Sequence, residues 1–232
     1  MISAQELQRL FPELEGAQAK AERLSRLAQR MLEEGSRRGV TALKTADSIK
    51  NELILDSLAG LPCLPTHGQV IDIGTGGGVP GLVLAVVRPD LSFVLTDSAA
   101  RKTTWVQECV QALALPNVEV RTVRLELLGR DPLARERFDA VTAKALASLA
   151  VLVELAFPLL KVGGKLIAYK GPALPEELEG ARKALRLLHA EFGGSRDYTL
   201  GDKSYRIAEI LKNAPTPNRY PRRDGVPQKS PL

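Results

Sequence analysis

Between Val70 and Gly81 the chain reads Val-Ile-Asp-Ile-Gly-Thr-Gly-Gly-Gly-Val-Pro-Gly. An apolar run that ends in glycines ahead of a helical stretch lets the backbone turn sharply and offers unpaired helix N–H groups to a ligand. Two further carboxylates fall where later strands end: Asp97, 25 residues after Asp72, and Glu126 in Arg124-Leu-Glu126. The first is placed to accept hydrogen bonds from a ribose diol. Gly76 to Gly81 formally contains a G-x-G-x-x-G, so a dinucleotide must be weighed. Asp72 argues against one, because a carboxylate beside the loop repels a pyrophosphate and attracts an ammonium, directly or through water. Asp72, Gly74, Gly76 and Gly78 at the loop, Asp97 at the ribose and Glu126 at an adenine edge together suit S-adenosyl-L-methionine, and the chemistry is then methyl transfer.

The acceptor is read partly from what is missing. Methylation of an exocyclic nitrogen uses an Asn/Asp-Pro-Pro-aromatic loop after the fourth strand, where this chain has Thr142-Ala-Lys-Ala-Leu-Ala-Ser148. Methylation of a pyrimidine carbon needs a cysteine nucleophile in the crevice. Cys63 precedes the first strand, however, and Cys109 lies within a predicted helix. Neither His67, in a loop, nor His189, at a helix end, is placed as a general base. Guanine N7 carries an unprotonated lone pair and needs only positioning and loss of water. Five cations, Arg101, Lys102, Arg124, Lys144 and Lys170, follow strand ends and converge on one rim, as a nucleic-acid substrate requires.

These residues need a scaffold. Alternating apolar runs and helical stretches predict strands at Val70–Ile73, Ser92–Thr96, Val118–Val123, Phe138–Ala143 and Lys165–Tyr169. Helices are predicted at Pro80–Arg88, Ala99–Leu115, Ser148–Leu160 and Pro175–Ala190. Such alternation means an α/β fold with a parallel sheet and helices on both faces. The runs Arg196–Leu200 and Tyr205–Leu211 around Gly201-Asp202-Lys203-Ser204 predict an antiparallel hairpin at the sheet's edge, a feature of methyltransferase sheets and not of dehydrogenases. Upstream, Leu24, Leu27, Ala28, Met31 and Leu32 mark one face of a helix over Gln18–Glu34, whose other side carries Arg23, Arg26 and Arg30; that stripe reads as a solvated face. A second helix is predicted from Ala46 to Ala59.

Composition sets the outer bounds. With 232 residues, 44% hydrophobic and 25% charged, the chain is an ordinary globular protein, and neither a metal site nor a membrane span is expected. The net charge of +5 is unevenly held: Lys212–Leu232 carries five cations against Asp224, together with five of the 15 prolines. That segment is expected to be a phosphate-binding arm. The expected organisation is an amino-terminal helical extension (1–65), a methyltransferase core (66–213) and the basic arm (214–232).

The run Val70–Gly81, Leu95-Thr-Asp-Ser-Ala-Ala-Arg-Lys102, Arg124-Leu-Glu126, Phe138–Leu149, Tyr169-Lys-Gly171 and the ending Thr216–Leu232 resemble the 16S rRNA guanine-N7 methyltransferase family, once called glucose-inhibited division protein B. The resemblance spans nearly the whole chain. It implies a Rossmann-like class I fold and a cytoplasmic, monomeric bacterial enzyme acting on 16S rRNA or the small ribosomal subunit. S-Adenosyl-L-methionine would be its methyl donor and N7 of a guanine in the decoding-region hairpin loop its target. Cofactor contacts are implied at Gly74, Val79, Asp97, Ser98, Ala99, Leu125, Glu126 and Lys144, with Arg124 beside the RNA path; Lys144 and Arg124 are expected to orient the guanine or its phosphates. The chain departs from the family's pattern at Gly39-Val-Thr41, at Glu52-Leu53 and at Lys144, where arginine is usual; Asp56-Ser57 is kept. A small-molecule methyltransferase and an inactive cofactor- and RNA-binding protein remain open on sequence alone.

Overall fold

Apolar runs with no polar face are what a sheet covered on both sides requires. Among the described residues seven strands pair into one sheet: β1 (Gln69–Ile73), β2 (Ser92–Asp97), β3 (Val118–Thr122), β4 (Phe138–Lys144), β5 (Leu160–Lys170), β6 (Ala190–Leu200) and β7 (Lys203–Lys212). The computed structural model describes residues 2–12 and 14–232. The strand order is β3-β2-β1-β4-β5-β7-β6; every pairing among β1 to β5 is parallel, and β7 runs antiparallel to both β5 and β6. The order reverses between β1 and β4, so a crevice opens at their carboxyl ends.

The helices are α1 (Ala4–Leu10), α2 (Ala17–Glu34), α3 (Ala46–Ser48), α4 (Asp56–Leu58), α5 (Gly81–Val87), α6 (Ala100–Leu113), α7 (Leu125–Leu128), α8 (Leu149–Ala156), α9 (Leu174–Leu187) and α10 (Val226–Lys229). Successive strand residues point to opposite faces, which divides the core in two. Val70, Phe93, Leu95, Ala140 and Ile167 pack with α2, α5 and α6, whereas Ile71, Val94, Val141, Leu166 and Ala168 pack with α8 and α9. The predicted parallel strands are all present. The helix expected to reach Leu160 stops at Ala156, ahead of Pro158. The hairpin is longer than predicted because β6 begins at Ala190. Gly193-Gly194 and a register shift between Phe192 and Gly194 hide its first half from a periodicity argument.

Two departures concern the amino-terminal extension. The helix expected from Ala46 is continuous but widens into a π-helical segment, Ile49–Leu55, between α3 and α4. The arginine stripe of α2 is not simply solvated. Arg26 Nη2 donates to the Ala112 carbonyl (2.7 Å), Arg30 and Arg38 pair with Glu108 at 3.6 and 2.9 Å, and both guanidiniums lie over the Trp105 ring. Trp105 is fully buried and donates from Nε1 to the Gly77 carbonyl (3.1 Å). The stripe thus grips α6 and, through one indole, the glycine loop.

The basic carboxyl-terminal segment, expected as a phosphate-binding arm, lies folded back on the core, with Lys212 and Arg222 committed inside the fold and Arg219, Arg223 and Lys229 exposed. A proline-rich stretch has few N–H donors of its own, and its carbonyls must find donors elsewhere. Arg130 supplies two hydrogen bonds to the Pro221 carbonyl, and Arg135 donates to the carbonyls of Tyr220 and Thr216. Lys212, fully buried, spends its ammonium on Glu136 and on the carbonyls of Phe157 and Leu160. Burial pulls its pKa down, and Glu136 opposes that pull. Arg222 forms a fork with Glu154, which is 0% exposed inside the otherwise apolar α8: Nε and the Arg222 amide reach Oε1 at 2.8 and 2.9 Å, and Nη2 reaches Oε2 at 2.6 Å. Removing one partner of such a pair strands a buried charge. Arg222→Ala is therefore expected to lower the unfolding free energy by about 3–5 kcal/mol, measured by urea denaturation. A loss below about 1 kcal/mol would show that the pair does not hold the segment.

Candidate functional site

The glycine loop begins where β1 ends, and Gly74 and Gly76 take φ of +66° and +57°, the left-handed region that suits glycine. Beneath it lies Asp72, fully buried at the end of β1. Its Oδ2 accepts from the Gly81 amide at the start of α5 (3.1 Å), and its Oδ1 accepts from Thr142 Oγ1 of β4 (2.7 Å). The Asp72 carbonyl accepts from Thr96 Oγ1 of β2 (3.1 Å). Burial pushes the Asp72 carboxyl up to about 6, against the pull of these hydrogen bonds.

Above the loop, Asp97 at the end of β2 is 8% exposed and accepts from the Gly76 amide (3.0 Å) through Oδ2 and from the Ala99 amide (2.9 Å) through Oδ1. Lys102 Nζ stands 3.5 Å from Oδ2. A carboxylate has about four acceptor sites, so capacity remains for two hydroxyls. After β3, Leu125 and Glu126 open α7, where the first amides have no intrahelical acceptor.

These groups line one cleft of about 520 Å³, a volume within the range of cofactor sites. Gly74, Gly76, Val79, Asp97, Ser98, Arg124, Leu125, Glu126 and Lys144 all stand in its wall. Three residues singled out from the sequence do not. Asp72 lies under the loop, Gly78 does not face the cleft, and Ala99 meets it only through the bond from its amide to Asp97. Conversely, Leu53, Thr75, Gly77, Leu146 and Gln228 line the cleft without having been foreseen. Thr75 and Gly77 lie inside the glycine loop and were legible there. Gln228 arrives from far along the chain with no local pattern to mark it, whereas Leu53 falls at Glu52-Leu53, where the chain departs from the family's pattern.

The expected basic rim is largely neutralised within the fold. Lys144 Nζ pairs with Asp56 and donates to the Glu52 carbonyl (2.6 Å), fastening the π-helical segment to the end of β4. Lys170 pairs with Glu177 (2.6 Å), and Arg124, half exposed, pairs with Asp224 (2.5 Å). Of the five rim cations only Arg101 has no carboxylate partner among the described residues. Glu126 is 3% exposed, and its Oε1 accepts from the Gly225 amide (2.9 Å), so the folded-back segment closes one side of the cleft. Cys63 and Cys109 are buried, and burial pushes both thiols up to about 11, unsuited to nucleophilic attack. Neither His67 nor His189 lines the cleft.

This sheet order, with the glycine loop and two acidic strand ends around one cleft, defines a class I S-adenosylmethionine-dependent methyltransferase. Solved structures share the fold. An S-adenosylmethionine-dependent O-methyltransferase from Thermotoga maritima superposes with a TM-score of 0.52 at 14% identity, covering 70% of this chain and 67% of that one. TYW2 from M. jannaschii, in complex with AdoMet, gives 0.54 at 12% identity over 68% and 75%. The model of the family described as rRNA small subunit methyltransferase G matches residues 20–193. Curated relatives named ribosomal RNA small subunit methyltransferase G include those of Deinococcus deserti, 42% identical over 209 residues (87% of this chain, 85% of the relative), and Desulfitobacterium hafniense, 39% identical over 227 residues (97% and 94%). The chain belongs to the rRNA small subunit methyltransferase G family. Among the described residues no helix is long and apolar enough to cross a membrane, and no group of three or more His, Cys, Asp or Glu could hold a metal ion.

The raised Asp72 pKa makes a pH test possible. Its folded value, about 6, exceeds the ordinary 3.8, so the folded state binds a proton that the unfolded chain releases. The stability this gives is full below about pH 4 and is lost as pH rises through about 6. Asp72→Asn is expected to remove that component, seen as a flatter fall in unfolding free energy from pH 4 to 7 than in the unaltered chain. Parallel profiles would mean that Asp72 is already ionised when folded.

Proposed function

We propose that the protein transfers the methyl group of S-adenosyl-L-methionine to N7 of a guanine in the decoding-region hairpin loop of 16S rRNA, in the cytoplasm. The observation that carries this reading is the convergence of Gly74–Gly77, Asp97 and Glu126 on one cleft of cofactor size in a chain of this family. Bound there, the cofactor supplies an electrophilic sulfonium methyl. Gly74, Gly76 and Val79 form the cradle for its amino-acid end. Asp97 and Ser98 take the ribose hydroxyls, and Leu125 and Glu126 the adenine. Asp72, Gly78 and Ala99 shape and hold these contacts from behind.

A guanine N7 has no proton to lose, and this cleft offers no histidine or ionised thiol to take one. Positioning and exclusion of water are then the protein's whole contribution to the chemistry. Arg124 serves as the phosphate contact: its exposed pair with Asp224 is worth little and exchanges readily for a phosphate oxygen. Lys144 acts one step back, setting the end of β4 against the amino-terminal extension, with its charge near the acceptor.

Asp97→Ala removes the proposed ribose acceptor and the anchor of the Gly76 amide, and is expected to weaken S-adenosylmethionine binding by about 1–3 kcal/mol by calorimetry. Unchanged affinity would take Asp97 out of the site. For the substrate, 16S rRNA from cells lacking the gene is expected to lose one N7-methylguanine, restored by the unaltered chain and not by Asp97→Ala. A complete modification map in those cells would favour the small-molecule alternative.

A further inference from the structure

A second cleft, of about 540 Å³, lies beside the first, and the two share the wall Lys144-Ala145-Leu146. Ala145 in that wall holds φ +52°, a conformation that costs energy outside glycine and gathers at functional sites. The opposite side of the second cleft comes from the hairpin. Tyr198 of β6 and Tyr205 of β7 face each other in register and stack with ring centroids 5.5 Å apart and planes 22° apart. Tyr198 is held in place by a hydrogen bond to Asp56 Oδ1, while Asp56 Oδ2 takes Lys144. Tyr205 is the freer ring, half-buried, with no hydrogen bond from its hydroxyl among the described residues. Glu177 lines the same cleft; its Oε2 accepts from Lys170 Nζ (2.6 Å) and the Leu149 amide (2.7 Å), and its Oε1 has no partner among the described residues.

Methyl transfer requires the accepting nitrogen within about 3–3.5 Å of the methyl carbon, so the accepting base must occupy space that touches the cofactor cleft. A stacked base cannot reach such a site. One taken out of its stack is held by aromatic faces and by hydrogen bonds to its Watson–Crick edge. Guanine presents two donors on that edge, N1–H and the N2 amino group, and N7 lies on the other side of the ring. A free carboxylate oxygen suits the first edge while the shared wall faces the second.

We infer that the second cleft receives the extruded target guanine, with Tyr205 as its stacking face and Glu177 Oε1 as acceptor for its N1–H and N2 amino edge. The inference rests on the guanine-N7 reading and adds the site and the specificity contact. The aromatic platform tolerates any base; the carboxylate selects guanine.

The test uses the full chain, labelled S-adenosylmethionine and a small-subunit rRNA substrate. Tyr205→Leu is expected to raise KM for RNA about tenfold or more while leaving the Kd for S-adenosylmethionine unchanged by calorimetry. Tyr205→Phe, which keeps the ring, is expected to restore KM to within about twofold. A substrate with inosine at the target position keeps N7 but lacks the N2 amino group; the unaltered chain is expected to methylate it about tenfold less efficiently, and Glu177→Gln to narrow that gap. The inosine comparison on the unaltered chain does not depend on any variant folding. Equal rates on guanine and inosine, or an unchanged KM in a folded Tyr205→Leu, overturn the inference and leave the methyltransferase reading standing. Absence of transfer from the unaltered chain to any rRNA guanine overturns both.

Discussion

One buried carboxylate organises the crevice. Asp72 joins three neighbouring strands and a helix: its carbonyl takes a hydroxyl from β2, one carboxyl oxygen takes a hydroxyl from β4, and the other caps the first amide of α5. A fully desolvated carboxylate is costly unless its oxygens are occupied, so each partner is fixed by the need to satisfy it. The glycine loop hangs between this anchor below and Asp97 above, which holds the Gly76 amide. The turn that opens the cofactor cleft is thus clamped by one carboxylate on either side.

The same economy governs the periphery. Charges that stand free in the sequence are committed in pairs in the fold: Lys144 to Asp56, Lys170 to Glu177, Arg222 to Glu154. Lys144–Asp56 and Arg222–Glu154 join segments far apart in the chain, Lys170–Glu177 ties β5 to the helix that follows it, and each borders a cleft or holds a segment that does. The amino-terminal region contributes through Arg30 of α2 and Arg38 beyond its end, which lie over the Trp105 indole that donates to the Gly77 carbonyl, and through Leu53, which stands in the cleft wall. The extension is therefore part of the site's construction.

What could be read in advance followed from short-range pattern. The parallel strands, the glycine loop and the acidic strand ends depend on residues within a few positions of one another, and their order along the chain limits the topology. What escaped depends on distant partners. Glu154 looks like an interruption of an apolar helix until Arg222 arrives from 68 residues away. Of the basic tail, Glu154 and Glu136 claim Arg222 and Lys212, and the tail's own carbonyls accept from Arg130 and Arg135 of the core. Asp72 sits one residue before the end of its strand, and spacing alone does not say whether it points into the cleft or beneath the loop. Tyr198 and Tyr205 form a pair only through the register of a hairpin whose first half is masked by two glycines.

The bond from the Gly225 amide to Glu126 spans 99 residues of chain and closes one side of the cofactor cleft with the segment that carries Gln228. The segment is fastened to α8 through Arg222 and Glu154 and to α7 through this amide. The docking of this segment therefore sets the shape of the cleft wall in which Glu126 and Gln228 stand. The wall of the cleft is thus completed by a backbone amide 99 positions downstream of the carboxylate it meets.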